Sequence, residues 1–187
     1  MEVIEAIRTR RSVRDFKDDQ IPEETIKELL ETAVWAPSGM NMQPWIFAIV
    51  QNREFMREFS ERAKARILEK AKEFSVLERY SGMMAKPDFN IFYNAPTLVL
   101  IYGDSTVATF RYDCSMAALN LMLAAWDRGI GSCWIGFAQF IGNTPEIKGE
   151  LNIPEEYELV APVILGYPKS VPPVRSRKEP RIVAWKR

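Results

Sequence analysis

The residues best suited to chemistry in this chain of 187 residues fall into two clusters. One is Arg10-Arg11-Ser12-Val13-Arg14-Asp15-Phe16, with three arginines and a serine inside five positions. Guanidinium forks match phosphate oxygens in pairs, and each charge-assisted bond contributes about 1.5–3 kcal/mol. The plain alternative for such a run is a solvated basic turn. The other cluster is Ala36-Pro37-Ser38-Gly39-Met40-Asn41-Met42-Gln43-Pro44-Trp45. A connection of this composition is ordinarily a solvated turn. It also carries, on Ser38, Asn41 and Gln43, donors and acceptors suited to the edge of a flat heterocycle, and Gly39 lets backbone approach a ligand closely. A third basic cluster, Arg175-Ser176-Arg177-Lys178, lies near the C-terminus.

Composition narrows the chemistry. Lysine plus arginine equals aspartate plus glutamate at 25 each, so the basic clusters are local and point to a small anion. That balance argues against nucleic acid or a membrane surface as the main partner. There is no histidine. Ser-His-Asp and Cys-His catalysis and the commonest zinc ligand are thereby excluded. The two cysteines, Cys114 and Cys133, form no CxxC pair and read as small buried hydrophobes in a protein of the reducing cytoplasm. The N-terminal segment is amphipathic and acidic rather than a signal peptide, and no apolar run has the length of a membrane span. Such a chain has little chemistry of its own, and a cofactor is expected to carry the reaction.

The elements that must position these clusters follow from periodicity. Val3, Ile4 and Ile7 make a short helical stripe ending at the arginines. Pro22 starts a second helix, with Glu23 and Glu24 in its first turn and a buried stripe of Ile26, Leu29, Leu30, Ala33 and Val34 that Pro37 ends. Residues 45–50 form an apolar strand. Residues 53–74 read as an exposed, charged helix, and residues 80–93 as irregular and rich in Met and aromatics. Strands are expected over 97–102, 133–137 and 159–165. Residues 112–128 form a long, nearly all-apolar helix, buried by the core or by a second subunit, and Thr144-Pro145-Glu146 opens a short helix. Beyond Ser170 three prolines exclude regular structure over most of the tail, yet Arg175, Arg177 and Trp185 favour an arm docked on protein over a frayed end. Alternating helices and strands indicate α/β or α+β, and the length indicates one domain, residues 1–187.

In order and spacing, RRSVRDF and APSGMNMQPW resemble the FMN-dependent nitroreductase family. Gly129-Ile130-Gly131-Ser132-Cys133-Trp134-Ile135-Gly136, the segment Val160-Ala161-Pro162-Val163-Ile164-Leu165-Gly166-Tyr167-Pro168, and Arg175-Ser176-Arg177 continue the likeness. Residues 55–92 carry no motif of that family. The resemblance implies an α+β fold of three α/β/α layers with a mixed central sheet. It also implies an intertwined homodimer with a C-terminal arm, FMN as cofactor, and NADH or NADPH as electron donor. Hydride would pass by way of flavin N5 to a nitroaromatic, quinone or similar small molecule in a ping-pong cycle.

FMN demands cations for its phosphate, a positive or donor group near N1 and O2, and a donor near N5. The resemblance assigns Arg10, Ser12, Arg175 and Arg177 to the phosphate and ribityl end. Arg11 contributes mainly backbone, and Arg14 lies at the pyrimidine edge. Pro37, Ser38, Gly39 and Asn41 approach from the other subunit. Gln43 either contacts the ribityl chain or braces its loop. Amides around Ile135 and Gly136 face N5 and O4, where the family commonly has an acidic residue before the glycine. Trp134 packs either near the ring or in the core. Met83, Met84, Phe89, Phe92 and Tyr93 form either a lid over the ring or part of the core or interface. Two other readings share the sequence features: a reductive dehalogenase or flavin-fragmenting relative, and a non-enzymatic FMN-binding or storage protein.

Overall fold

A computed structural model describes residues 1–187, the side chain of Val76 excepted. The elements in chain order are α1 (Val3–Thr9), α2 (Glu23–Ala33), β1 (Trp45–Val50), α3 (Arg53–Ala71), α4 (Ser75–Met84), β2 (Thr97–Asp104), α5 (Phe110–Asp127), β3 (Gly131–Trp134), α6 (Gln139–Gly142), α7 (Pro145–Glu150) and β4 (Tyr157–Gly166). The four strands form one sheet in the order β1-β2-β4-β3.

Every named pair in that sheet is antiparallel, where a mixed sheet was expected. The one parallel contact among the described residues is an isolated bridge from Ser12 to Ser132, which adds the arginine-rich segment outside β3. Helices cover both faces, giving the three layers. The period of two along β2 sends Leu98, Leu100 and Tyr102 to one face and Val99 and Ile101 to the other. The first set packs under Met56, Phe59, Ala63 and Ile67 of α3. The second set packs under α2 and α5 through Ile26, Leu29, Ala117 and Leu121. A register shift between Ile101 and Tyr102 of β2 lets Val160 and Ala161 of β4 both join the α5 side. Pro162, two residues on, sits next to that irregularity, where a missing N–H is tolerated.

Three further sequence-based expectations change here. Helix α3 is not simply exposed: Met56, Phe59, Ser60, Ala63, Lys64 and Ile67 are buried along one face. Its charges mask the stripe, and buried Lys64 is neutralised by Glu61 at 2.9 Å while donating to the Lys86 carbonyl at 3.0 Å. Residues 75–84, expected in part to be irregular, are helical as α4. The strand expected over 133–137 runs Gly131–Trp134, and Gly136–Ala138 forms a 3-10 turn. Gly129, at φ +70°, closes α5 two residues before that strand starts. Within the aromatic segment, Met84, Ile91 and Phe92 are buried core, while Met83, Phe89 and Tyr93 are only partly buried beside it.

Candidate functional site

Backbone pairing brings the arginine segment to β3. Val13 N–H donates to the Ser132 carbonyl at 3.0 Å, and the side chains of Arg10, Ser12 and Arg14 gather near the Cys133 thiol. Burial pushes that thiol's pKa up, against the pull of Arg14, the Ser12 hydroxyl and Arg10. Arg10 is half-buried. Its pKa is lowered first by desolvation and then by the like charges of Arg11 and Arg177, against a raising effect from Cys133. Arg177 therefore lies within electrostatic reach of Arg10, and the arm starts beside the N-terminal motif, where the Ser170 hydroxyl donates to Asp15 Oδ2 at 2.8 Å.

Arg53, Arg57, Arg62, Arg66, Arg111 and Arg128 all pair with carboxylates. Among the described residues, Arg10, Arg11, Arg14, Arg175 and Arg177 have no such partner, and neither do Arg8, Arg79, Arg181 and Arg187; what sets Arg10 apart is that it is half-buried with other guanidinium groups in reach. Like charges held together in a partly desolvated place without a counter-ion are unfavourable, and a dianion between them reverses the sign.

Within the motif the arginines divide the work. The Arg11 guanidinium donates to the Arg8 and Arg10 carbonyls at 2.8 and 2.7 Å, closing the end of α1 rather than facing a ligand. Arg14 is exposed and stands over the Tyr93 ring at 5.6 Å from its centroid. Tyr93 holds a left-handed backbone at φ 53° and packs edge-on against Phe89. Arg175 is exposed on the arm two residues before Arg177. The Ser132 hydroxyl is buried with no hydrogen-bond partner.

Beyond β3, the Ile135 N–H is already given to the Pro162 carbonyl at 2.8 Å. The exposed Gly136 follows, and a Cβ built there would meet nothing within 4 Å. That backbone faces open space, as the floor under a flat ring requires. Trp134 packs with the α5-side cluster, on the face opposite Cys133.

The second motif is a tightly wound loop before β1. Met40, Asn41 and Gln43 all have positive φ, at 50°, 57° and 47°, a conformation that non-glycine residues adopt only when surroundings hold it. The Ser38 hydroxyl accepts from Gln43 N–H at 3.1 Å, and Gln43 Nε2 donates to Asn41 Oδ1 at 3.2 Å, so the Gln43 side chain braces the loop. Gly39 N–H donates to Asp113 Oδ1 at 3.2 Å. A Cβ on Gly39 would lie 2.5 Å from Thr109 Oγ1. Pro37 and Asn41 are exposed, and Ser38 and Gly39 half-buried.

The two motifs do not meet within one chain. Helix α5 is the ruler: Asp113 near its start holds Gly39, and Trp126 near its end donates to Thr9 of α1 at 2.9 Å. Thirteen residues of helix separate them by about 20 Å. They also occupy opposite edges of the sheet, since the loop enters β1 and the arginines border β3. Three functional candidates were missed from sequence: Tyr93 as the support of Arg14, Thr109 against Gly39, and Asp113. Only Asp113 had a visible signal, as the sole charged residue between Tyr112 and Trp126 in an apolar helix.

Comparison with known proteins places the whole chain. The family model described as the nitroreductase family matches residues 7–167. A protein of Methanothermobacter thermautotrophicus, provisionally named an NADH dehydrogenase/NAD(P)H nitroreductase, is 32% identical over 184 residues, covering 96% of this chain and 84% of its own. The iodotyrosine deiodinase of Thermotoga neapolitana is 30% identical over 181 residues, with 91% and 90% covered. The crystal structure of a nitroreductase with bound FMN from Bacteroides fragilis superposes with a TM-score of 0.86 at 30% identity, over 100% of both chains.

Proposed function

The chain belongs to the nitroreductase family, and from that premise we propose how its residues serve an FMN-dependent NAD(P)H oxidoreductase. FMN, when bound, would supply two-electron chemistry between NADH or NADPH and an oxidised small molecule such as a nitroaromatic or quinone. The observation that carries the site is half-buried, unpaired Arg10, with Ser12 and the exposed Arg14 beside the same Cys133 thiol and the exposed Arg177 within electrostatic reach.

Arg10, Arg177, Arg175 and Ser12 hold the phosphate and ribityl end, and Arg11 keeps the end of α1 in shape behind them. Arg14, held over Tyr93, is the cation for the pyrimidine edge. The Gly136 amide is the donor at the ring's reactive edge, since the Ile135 amide is committed to Pro162. Pro37, Ser38, Gly39 and Asn41 close the other side from a second copy of the chain, with Gln43 as internal brace. Trp134 acts through packing. No side chain is needed as general base, which suits a chain without histidine. We read residues 1–187 as one flavin-binding domain, and the cytoplasm as its compartment.

The homodimer rests on three exposed apolar surfaces. Tyr112, Met116, Leu119 and Leu123 recur at alternating four- and three-residue steps along the outer side of α5, with Tyr112 72% and Leu119 47% exposed. That spacing is the one a knobs-into-holes seam uses. Val3, Ile4 and Ile7 of α1 stand open beyond its far end. The arm adds Val174, Ile182, Val183 and Trp185, all exposed. No helix among the described residues is long and apolar enough to cross a membrane.

The purified protein is expected to show a flavin absorption spectrum that bleaches on anaerobic addition of NADH or NADPH. Steady-state plots against both substrates should then run parallel. A colourless protein that also refuses added FMN would overturn this reading. A flavin that does not bleach would favour storage over catalysis.

A further inference from the structure

We propose that Asp113 is the positioning residue of the flavin site, and that it acts in trans, shaping the loop that one protomer lends to its partner. The inference rests on the two-chain site described above and adds a residue no motif contains. Asp113 is 2% exposed and has no cationic partner among the described residues. Its two oxygens are instead spent on the loop and its support. Oδ1 accepts from Gly39 N–H at 3.2 Å, and Oδ2 accepts from Thr109 Oγ1 at 2.8 Å.

Thr109 in turn fills the space where a Gly39 side chain would be. Carboxylate, hydroxyl and glycine therefore form one clamp at the start of α5. The loop needs a clamp, because three of its residues hold left-handed backbone that relaxes when released. The same first turns of α5 carry Tyr112 and Met116, which begin the seam. Loop shape and protomer contact are thus set by adjacent residues of one helix. Because the loop lies about 20 Å from the arginines of its own chain, its shape matters to the other protomer's flavin.

Three variants separate this from a general structural role. Asp113→Ala removes the acceptor and is expected to raise the FMN dissociation constant by about tenfold to a hundredfold. Asp113→Asn keeps a carbonyl acceptor for Gly39 N–H, and the Thr109 hydroxyl can turn to accept from its amide. It should rescue most of the affinity. A heterodimer pairs an Asp113→Ala protomer with an Arg177→Ala protomer, each bearing its own affinity tag, and is titrated with FMN.

If Asp113 acts in trans, both lesions fall on one site and the other is intact. The heterodimer then binds one FMN per dimer with wild-type affinity. Two weakened sites and no intact one would overturn the proposal, as would wild-type affinity in the Asp113→Ala homodimer. An Asp113→Asn protein as impaired as Asp113→Ala would also overturn it, because charge rather than the hydrogen bond would then be at stake. Failure of the wild-type protein to take up FMN at all would overturn the site reading itself, and is distinguishable because it precedes any variant.

Discussion

At the scale of residues, charge without a partner is the most telling property of the site. Arg10 is half-buried within electrostatic reach of Arg177, and no carboxylate pairs with it. Arg177→Ala is therefore expected to weaken FMN about tenfold in a fluorescence titration, taking the lower end for a charge-assisted bond at an exposed position. The apo protein should melt unchanged, since Arg177 is exposed. An unaltered dissociation constant would remove Arg177 from the phosphate site. The cysteines make a different prediction. Burial pushes the Cys114 thiol up from 9.0 to about 12. Below pH 9 the thiol is neutral in both folded and unfolded chains and costs nothing. Above it the unfolded chain ionises and the native one does not, so stability falls as pH rises from about 9 towards about 12. Denaturant midpoints against pH, with Cys114→Ala as the control that flattens part of the fall, measure it. Legibility at this scale was good for types and poor for neighbours. A run of guanidinium groups sets an anion site against a solvated basic turn, and the residue types alone leave both open. That Tyr93 stands under Arg14, or that Asp113 holds Gly39 across 74 positions, depends on chain reversal that no local pattern carries.

At the scale of elements, α5 carries most of the consequences. It buries Cys114, Ala117, Ala118, Leu121 and Ala125 against the sheet and leaves the Tyr112–Leu123 seam outward. Leu119→Asp should leave the protomer folded, because Leu119 is 47% exposed, and should convert the proposed dimer to monomer in light scattering. Flavin should be lost with it. A dimer that survives would exclude this seam as the interface. The apolar sequence of α5 could be read as burial on most sides, and the outward stripe is where that burial is incomplete in a single chain. Strand β1 is read from sequence over the residues it occupies, because a compact apolar run bounded by Pro44 and Gln51 leaves little choice. Helix α3 misleads because charged residues surround its buried stripe, and one of them, Lys64, is itself inside. Helix α4 was obscured by its glycine and methionines, whose helical state is stabilised by packing rather than by a clean period.

At the scale of the whole molecule, both core clusters are built on the same four strands. Unfolding should therefore be a single transition, with far- and near-ultraviolet dichroism changing together. Residues 171–187 are exposed throughout, so their removal should leave that transition of the protomer in place while flavin affinity falls. Two separate transitions would argue for two domains. The α/β or α+β class was legible in sequence from alternating elements, and the family, with the layered fold it implies, from five ordered segments. What one sequence could not convey is that its two best motifs end up at opposite edges of the sheet, because that separation is a property of topology. In the proposed two-chain flavin site, the separation, about 20 Å along α5, has a consequence for mass action. A ligand that touches two chains at once binds only their associated form, and so stabilises association by the same factor that association strengthens its own binding. Cofactor supply and protein concentration become interchangeable variables. Diluting the protein is thermodynamically a way of withholding its flavin, and adding flavin a way of concentrating the protein.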